Sequence, residues 1–280
     1  MKKIVVVTDS NATIPQNLVK ELDIRVVPIL LTLDGQTFRD GIDMTPGELY
    51  RRLRANKHVP TTAAPSVGDF VRVYAAAARE ACGIVSIHLP DQLSATYKTA
   101  VMASQLVDGA PIRVVESQAV AMAQGFVVLE AARAAATGAD LDAVTARVAE
   151  MSSKVRFFAA LETLEYLHRG GRIGRAGMLL GTLLQIKPIL HIVDGRVEVL
   201  AKPRTKGKAM KIMLQEMADE AKSRPLHVAV FHADVPDEVE ELRQRVAKQF
   251  DCAELLVTQF TPVMGAHAGP GVLGVAFYAE

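Results

Sequence analysis

The 280-residue sequence has no tryptophan, only two cysteines and almost no net charge. Its 32 Lys and Arg residues balance 31 Asp and Glu residues, which leaves a formal net charge of +1. Polyanionic partners normally require a basic surface, so a nucleic-acid-binding protein is not expected. Cys82 and Cys252 fit neither a CxxC motif nor the spacing of a zinc site, and each is predicted to be a buried thiol.

Long hydrophobic runs are also missing. The apolar runs at residues 4–7 and 84–85 are much shorter than the roughly 18 residues of a membrane span. The first residues lead directly into a strand-like run without a signal-peptidase site. We therefore expect a cytoplasmic protein.

Short β-rich runs alternate with helical patterns in the first half of the chain. This alternation is typical of βαβ units around a parallel sheet, and residues 1–152 are predicted to form an α/β/α sandwich. A second apolar run, at residues 24–33, ends at a turn formed by Asp34 and Gly35. Polar sequence broken by glycine and proline then indicates an excursion from the core at about 34–60, with a short helix at 46–55.

The second half of the chain has a different pattern. Six β-like runs lie at residues 156–161, 187–193, 196–202, 226–232, 253–258 and 272–278. Asp194 and Gly195 between the second and third runs predict a hairpin. We therefore predict a second domain of α+β type over residues 153–280, with a six-stranded mixed or antiparallel sheet. The whole chain is thus predicted to be a two-domain α/β protein.

Polar residues follow three of the predicted strands in the first half. Asp9 and Ser10 follow the first, Ser94 opens the helix after another, and Ser117 follows a third. Ligands of open α/β sheets bind beyond the carboxyl ends of the strands, where helix N-termini offer free N–H groups. These loops are therefore candidates for an anion site, although Ser94 is equally well explained as a helix N-cap.

Glycine shapes two further motifs. Gly170 and Gly171 end a helical pattern and leave Arg172 beyond a tight bend, where a guanidinium can recognise a carboxylate or a phosphate. His267 lies in a glycine-rich stretch whose GxGxxG pattern opens no helix, so it is not a dinucleotide motif. Solvated-loop and structural roles remain the alternatives for Arg172 and His267. Thr62 precedes a turn and contacts either a ligand or that turn.

The order and spacing of these segments resemble the DegV family of bacterial fatty-acid-binding proteins, the carrier subunits of a fatty-acid kinase. The resemblance covers nearly the whole chain and rests on VVVTDSNATIP, TTAAPSVGDF, LSATYKTA, VVESQAV, LEYLHRGGRIG and GAHAGPGVLG. It implies a protein that holds one long-chain fatty acid, such as palmitate, stearate or oleate, between two domains. It also implies a separate kinase subunit as partner, a role in phospholipid metabolism and transient contact with a membrane surface, without a metal or a cofactor.

Carried onto this sequence, the resemblance implies that Thr62, Ser94, His267 and Arg172 contact the fatty-acid carboxylate. Supporting positions are Asp9, Ser10, Ala95, Ser117, Gly171, Gly265 and Ala266. The candidates for the wall around the acyl chain are Met178, Leu179, Leu180, Leu183 and Met264. The sequence departs from the usual family motifs at Ala63, Ala64, Ala95, Glu116 and Ala266, where polar residues or other small residues are usual.

Two other functions compete with the carrier. Ser94, His267 and Asp9 are the residue types of a serine-hydrolase triad acting on acyl esters, although the chain has no GxSxG motif. A lipid-responsive regulator is the second alternative, because six cations between residues 196 and 211 offer a face for an acidic partner.

Overall fold

A computed structural model describes residues 3–55 and 60–280, apart from the side chains of residues 180–185. The first half is built on a four-stranded sheet with the order β2-β1-β6-β7, and all of its neighbouring strands are parallel. Its elements are β1 (Lys3–Asp9), α1 (Gln16–Glu21), β2 (Arg25–Val27), β3 (Leu30–Leu33), β4 (Gln36–Arg39), α2 (Pro46–Ala55), β5 (Thr61–Ala63), α3 (Val67–Glu80), β6 (Ala81–His88), α4 (Thr96–Ser104), β7 (Ile112–Glu116), α5 (Ala121–Ala136) and α6 (Leu141–Lys154). The predicted parallel sheet is confirmed.

The second half contains the predicted six-stranded mixed sheet, with the order β10-β9-β8-β13-β11-β12. Neighbouring strands are antiparallel except β11 and β12, which are parallel. Its elements are β8 (Arg156–Ala160), α7 (Glu165–Arg169), β9 (Ile189–Val193), β10 (Arg196–Ala201), α8 (Lys206–Ala221), β11 (Leu226–His232), α9 (Pro236–Gln249), β12 (Cys252–Gln259), α10 (Pro262–Ala268) and β13 (Leu273–Ala279). Two 3-10 segments complete the fold, Ser10–Ala12 and Gly174–Gln185.

The described residues of the excursion, 34–55 and 60, are more ordered than their polar sequence indicates. The apolar run at 24–33 divides at Pro28, which has no N–H to donate, into β2 of the parallel sheet and β3 of a separate sheet. β3 pairs with β4 and β5 to form this three-stranded antiparallel sheet. The excursion thereby places Thr62, on β5, at a fixed register opposite Leu31.

Helix α5 lies between the two main sheets. It contacts β1 of the parallel sheet and β8 and β13 of the mixed sheet, and 12 of its 16 residues are buried. The largest core cluster joins alternate strand residues of both sheets to this helix, such as Val6, Phe231 and Tyr278. The outer faces are covered by α3 and α4 on the parallel sheet and by α8 and α9 on the mixed sheet.

Both cysteines are free. Cys252 is half-buried, as its place at the start of an edge strand allows. Cys82 is exposed, so the prediction of a buried thiol is wrong there, because its side chain lies on the solvent side at the start of β6.

Gly274 provides a test of the packing in the mixed sheet. It lies opposite Phe231 in β11, and an alanine Cβ there would overlap both the Phe231 ring and the carbonyl oxygen of Phe158. We expect Gly274→Ala to lower the free energy of unfolding by about 1–3 kcal/mol because the core has no space for the methyl group. Urea unfolding followed by far-UV circular dichroism measures the change.

Gly207→Ala is the matched control. Gly207 lies in the first turn of α8, and an alanine Cβ there would have no neighbouring atom within 4 Å. The same substitution there should raise stability by about 0.4–1 kcal/mol, because alanine favours the helix. Equal effects at the two positions would show that Gly274 is not closely packed.

Candidate functional site

A cavity of about 320 Å³ lies between the two main sheets, beyond the carboxyl ends of β1 and β6. Its walls are mainly apolar and come from both halves of the chain. The apolar lining residues include Ile29, Leu89, Val120, Phe157, Ala159, Leu161, Leu167, Leu190, Ile192, Val197, Phe260 and Val263. Five polar side chains interrupt this lining: Asn11, Thr62, Ser94, Arg172 and His267.

Thr62 and His267 are in direct contact at this cavity. Thr62 Oγ1 lies 2.8 Å from His267 Nε2, although 205 residues separate them in the sequence. The glycine-rich sequence around His267 indicates a loop. The structure instead places His267 in the last turn of α10. The helix ends at Gly269, whose φ of 76° lies in the region that glycine adopts most easily.

The His267 ring is neutral at physiological pH. Burial lowers its pKa from 6.5 to about 4, and the positive charge of Arg172 adds to this effect. His267 Nδ1 is buried and has no hydrogen-bond partner among the described residues. It lies so close to Gly170 that an alanine Cβ at this position would overlap the ring. Gly170 therefore makes room for the imidazole.

Arg172 connects two loops at the edge of the cavity. Its Nε donates to the carbonyl oxygen of Leu93 at 3.0 Å, and its Nη1 donates to that of Gly170 at 2.7 Å. Gly171 turns the chain between α7 and Arg172 with a φ of 70°. The guanidinium thus fixes the loop that carries Ser94 against the turn that carries Gly170.

Ser94 lines the cavity, but it is not the N-cap that its position suggests. The helix α4 begins at Thr96, with Ala95 as the preceding residue. Ser94 Oγ lies 2.8 Å from Thr96 Oγ1 and accepts the Thr96 N–H at 3.3 Å. Ala95 also lines the cavity.

The other two strand-end loops do not reach this cavity with their predicted residues. Asp9 Oδ2 lies 2.8 Å from His88 Nδ1, and Asp9 Oδ1 accepts the Asn11 N–H at 3.0 Å. Ser10 Oγ accepts the Ile29 N–H at 3.1 Å, and Ser117 Oγ donates to the Ala119 carbonyl oxygen at 3.1 Å. These side chains fix local structure instead of lining the cavity.

Only some of the residues predicted to surround the acyl chain line the cavity. Met264 lines the cavity, and Gly265 and Ala266 are buried beside it in α10. Met178 is 77% exposed, and Leu179 is buried against a separate hollow beside β10, so neither lies on the cavity wall. The side chains of Leu180 and Leu183 lie outside the described residues.

Asn11 is a lining residue that was not predicted. Its Oδ1 accepts the Ala121 N–H at the start of α5 at 3.1 Å, and its Nδ2 donates to Met264 Sδ at 2.8 Å. Its position two residues after Asp9, beyond the end of β1, could have marked Asn11 as a candidate lining residue. The strand residues Phe157, Ala159, Leu190 and Ile192 were also missed, although their alternation places them on one face of the sheet.

The arrangement is suited to binding an amphipathic molecule. The walls offer an apolar surface, and the hydroxyls of Thr62 and Ser94 supply donors for an acceptor head group. In the part of the chain that is described, no group of three or more His, Cys, Asp or Glu side chains is placed to hold a metal ion. Residues 3–55 and 60–280 also contain no helix with the length and hydrophobicity needed to cross a bilayer.

Comparison with known proteins gives consistent matches over the full chain. The family model described as "Uncharacterised protein, DegV family" matches residues 3–280. A DegV domain-containing protein of Halalkalibacterium halodurans is 34% identical over 282 residues, which is 100% of both chains.

Solved structures of similar proteins share the fold. A DegV family protein from Thermus thermophilus, described with fatty-acid binding, is 36% identical with a TM-score of 0.94, covering 99% of this chain and 100% of that one. DegV of Bacillus subtilis, a fatty-acid-binding protein, is 29% identical with a TM-score of 0.93 and full coverage of both chains. A stearic-acid-binding protein from Eubacterium ventriosum is 25% identical with a TM-score of 0.91, covering 100% of this chain and 98% of that one.

The lowered pKa of His267 predicts a pH dependence of stability. The His267 ring has a pKa of about 4 in the folded protein and near 6.5 in the unfolded protein. Between pH 4 and pH 6.5 the unfolded state therefore binds more protons than the folded state. The ligand-free protein should therefore lose up to about 3 kcal/mol from this group as the pH falls from about 6.5 to 4. Urea unfolding at a series of pH values measures this slope.

His267→Gln should remove that contribution, so its stability should fall less over the same pH range. His168→Gln removes an exposed ring and serves as the control. Identical pH profiles for His267→Gln and the unsubstituted protein would contradict the prediction.

Proposed function

The chain belongs to the DegV family, and we propose that it is a non-enzymatic carrier that holds one long-chain fatty acid in the cavity between its two main sheets. The observation that carries this conclusion is an apolar cavity with the Thr62–His267 pair in its wall. The fatty acid, of the palmitate, stearate or oleate type, is the ligand that we assign, and we assign no cofactor or metal. We place this function in the cytoplasm.

The acyl chain supplies most of the affinity in this proposal. Transfer of about fourteen methylenes from water at ~0.8 kcal/mol each is worth about 11 kcal/mol. The cost of association is about 4–15 kcal/mol, so burial of the chain is comparable with that cost. The walls from Phe157, Leu190 and Ile192 are suited to this role because they present only hydrocarbon to the cavity.

The head group is assigned to the Thr62–His267 pair and Ser94. A carboxylate only accepts hydrogen bonds, so the Thr62 hydroxyl must donate to it. Thr62 Oγ1 then accepts from His267, which requires the tautomer with its proton on Nε2. Ser94 supplies a second hydroxyl, and the positive charge of Arg172 favours the ionised acid.

We further propose that a partner kinase phosphorylates the bound fatty acid, which gives an acyl phosphate for phospholipid metabolism. The sequence has no P-loop, and its GxGxxG pattern opens no helix, so ATP is assigned to the partner. Arg172 borders the cavity, and Gly171, Arg175 and Met178 beside it are exposed or partly exposed. We therefore assign the kinase-facing surface to this region.

The hydrolase alternative lacks support from the geometry. Asp9 is in contact with His88 and not with His267, and the Ser94 hydroxyl is in contact with Thr96. No observation favours the regulator either. Within the cationic run at 196–211, Lys206 is already paired with Glu238 at 2.9 Å.

Thr62→Val tests the head-group assignment. The substitution keeps the shape of the side chain and removes the hydroxyl, so a bound carboxylate loses one donor and His267 Nε2 loses its partner. We expect stearate to bind about tenfold more weakly, as is usual for a hydrogen bond to a charged group. Isothermal titration calorimetry with delipidated protein measures the affinity.

Thr61→Val is the matched control, because Thr61 is the exposed neighbour on the same strand and does not line the cavity. It should bind stearate as the unsubstituted protein does. Equal affinities for the two variants would remove Thr62 from the head-group site.

Arg172→Ala tests the assignment of the kinase-facing surface. With a fatty-acid kinase and ATP, acyl phosphate formation should fall at least tenfold, while mass spectrometry of the lipid extract should show the fatty acid retained. Arg169→Ala is the control, because Arg169 is exposed and pairs with Glu165 on α7. Loss of the fatty acid itself would assign Arg172 to lipid retention instead.

A further inference from the structure

A second cavity, of about 510 Å³, lies on the other side of the Ser10–Ala12 segment. It is bounded by the residues that follow β1, by the turn after β4 and by the end of β12. Its volume is within the range of about 300–1,000 Å³ that is usual for small-molecule sites. It shares no lining residue with the first cavity, so it is a separate site.

Buried oxygen atoms without partners line this second cavity. Four such atoms, Thr13 Oγ1, Thr258 Oγ1, Thr261 Oγ1 and Asp40 Oδ2, have no hydrogen-bond partner among the described residues. Thr13, Thr258 and Asp40 are only 8%, 7% and 3% exposed. Buried polar atoms are normally paired, because an unpaired one loses its hydration without compensation. Four such atoms around one cavity point to a ligand that donates hydrogen bonds.

Asp40 makes the site negative. Its Oδ1 accepts the Val263 N–H at 2.9 Å, and the hydroxyls of Ser10 and Thr261 lie close enough to favour its ionised form without giving Oδ2 a hydrogen bond. Burial nevertheless raises the pKa of Asp40 to about 6. The cavity lining contains no Lys, Arg or His among the described residues. The site therefore disfavours anions and favours a cation.

The exposed part of the cavity lining contains two large apolar side chains beside Gln16 and Gln259. These are Ile42 and Val257, which are 60% and 45% exposed, and such exposure is unusual for large hydrophobic side chains. A site with acceptor oxygens in its buried part and hydrocarbon in its exposed part matches a ligand with a charged donor at one end.

Two carboxylates line the cavity, Asp9 and Asp40, and Asp9 Oδ2 is already in contact with His88 Nδ1. The remaining carboxylate among hydroxyls is unlike the oxygen-rich sets that hold Ca²⁺ or Mg²⁺.

We propose that the second cavity binds a primary alkylammonium ion, whose –NH₃⁺ group donates to Asp40, Thr13 and Thr258 and whose hydrocarbon part packs against Ile42 and Val257. An ammonium group has three donors and no acceptor, which suits a lining whose four unpaired atoms are all oxygens that can accept a hydrogen bond. The assignment is independent of fatty-acid binding, because the first cavity contributes no group to it.

The test uses the full-length protein with ¹³C-labelled isoleucine δ1 methyl groups. Ile14 and Ile42 report on the second cavity, and Ile29 and Ile192 report on the first. Titration with n-butylammonium chloride should shift the resonances of Ile14 and Ile42 saturably and leave those of Ile29 and Ile192 unchanged. Sodium chloride should give no saturable shift, and n-butanol, which has the same chain without the charge, should bind at least tenfold more weakly. No saturable shift, or equal binding of butanol and butylammonium, would overturn the assignment.

Asp40→Asn removes the charge and keeps an oxygen for the Val263 N–H. It should weaken butylammonium binding at least tenfold, as loss of a charge-assisted hydrogen bond normally does. Asp43→Asn makes the same change in charge at an exposed carboxylate that is bonded to Arg39 and lies outside the cavity lining, and it should have no effect. Equal affinities of the two variants would contradict the role of Asp40.

Thr258→Val keeps the test valid if Asp40→Asn does not fold. Because Thr258 Oγ1 has no partner among the described residues, its loss should leave the thermal midpoint of the ligand-free protein unchanged or higher. Butylammonium binding should nevertheless weaken at least fivefold, because a hydrogen bond from a charged donor is lost. Unchanged binding by this variant would overturn the assignment of the hydroxyl.

Discussion

The burial of α5 between two sheets is the constraint on which the rest of the structure depends. A helix buried over most of its circumference is expected to be largely apolar, and α5 is rich in alanine with Phe126 and Leu129 fully buried. Small residues let the chain approach closely, since an alanine Cβ at Gly125 would lie 2.7 Å from the carbonyl oxygen of Ala12. Because both sheets pack on this one helix, the two halves of the chain share a continuous core.

The first cavity is a consequence of where α5 begins. Val120, just before the helix, is part of the cavity wall, and Ala121 at its start has a φ of 49°. A left-handed conformation costs a residue with a Cβ about 1–2 kcal/mol, and the hydrogen bond from the Ala121 N–H to Asn11 offsets part of this. The space beside the start of the helix is walled by strand side chains such as Phe157 and Leu190 and by residues of α7 and α10.

Local sequence patterns were sufficient to predict the parallel sheet, the six-stranded mixed sheet and the hairpin at Asp194 and Gly195. Side-chain alternation and turn residues can be recognised within a few neighbouring positions. Local patterns could not predict that Thr62 contacts His267 or that Asp9 contacts His88, because these pairs are separated by 205 and 79 residues. The motif resemblance, not periodicity, brought Thr62 and His267 into one predicted site. Helix α10 was missed because it has only seven residues and is followed by glycine, which is typical of a loop.

The Ser10–Ala12 segment separates two environments with different electrostatics. Asn11 lines the first cavity, whereas Ser10 and Ala12 line the second. Both buried carboxylates, Asp9 and Asp40, belong to the lining of the second cavity, and Arg172 belongs to that of the first. For the ligand proposed above, one turn of chain would separate a carboxylate head group from the buried carboxylates and so reduce their Coulomb repulsion. The hydrogen bond from the Asn11 N–H to Asp9 Oδ1 helps to fix this turn, which keeps the two linings apart.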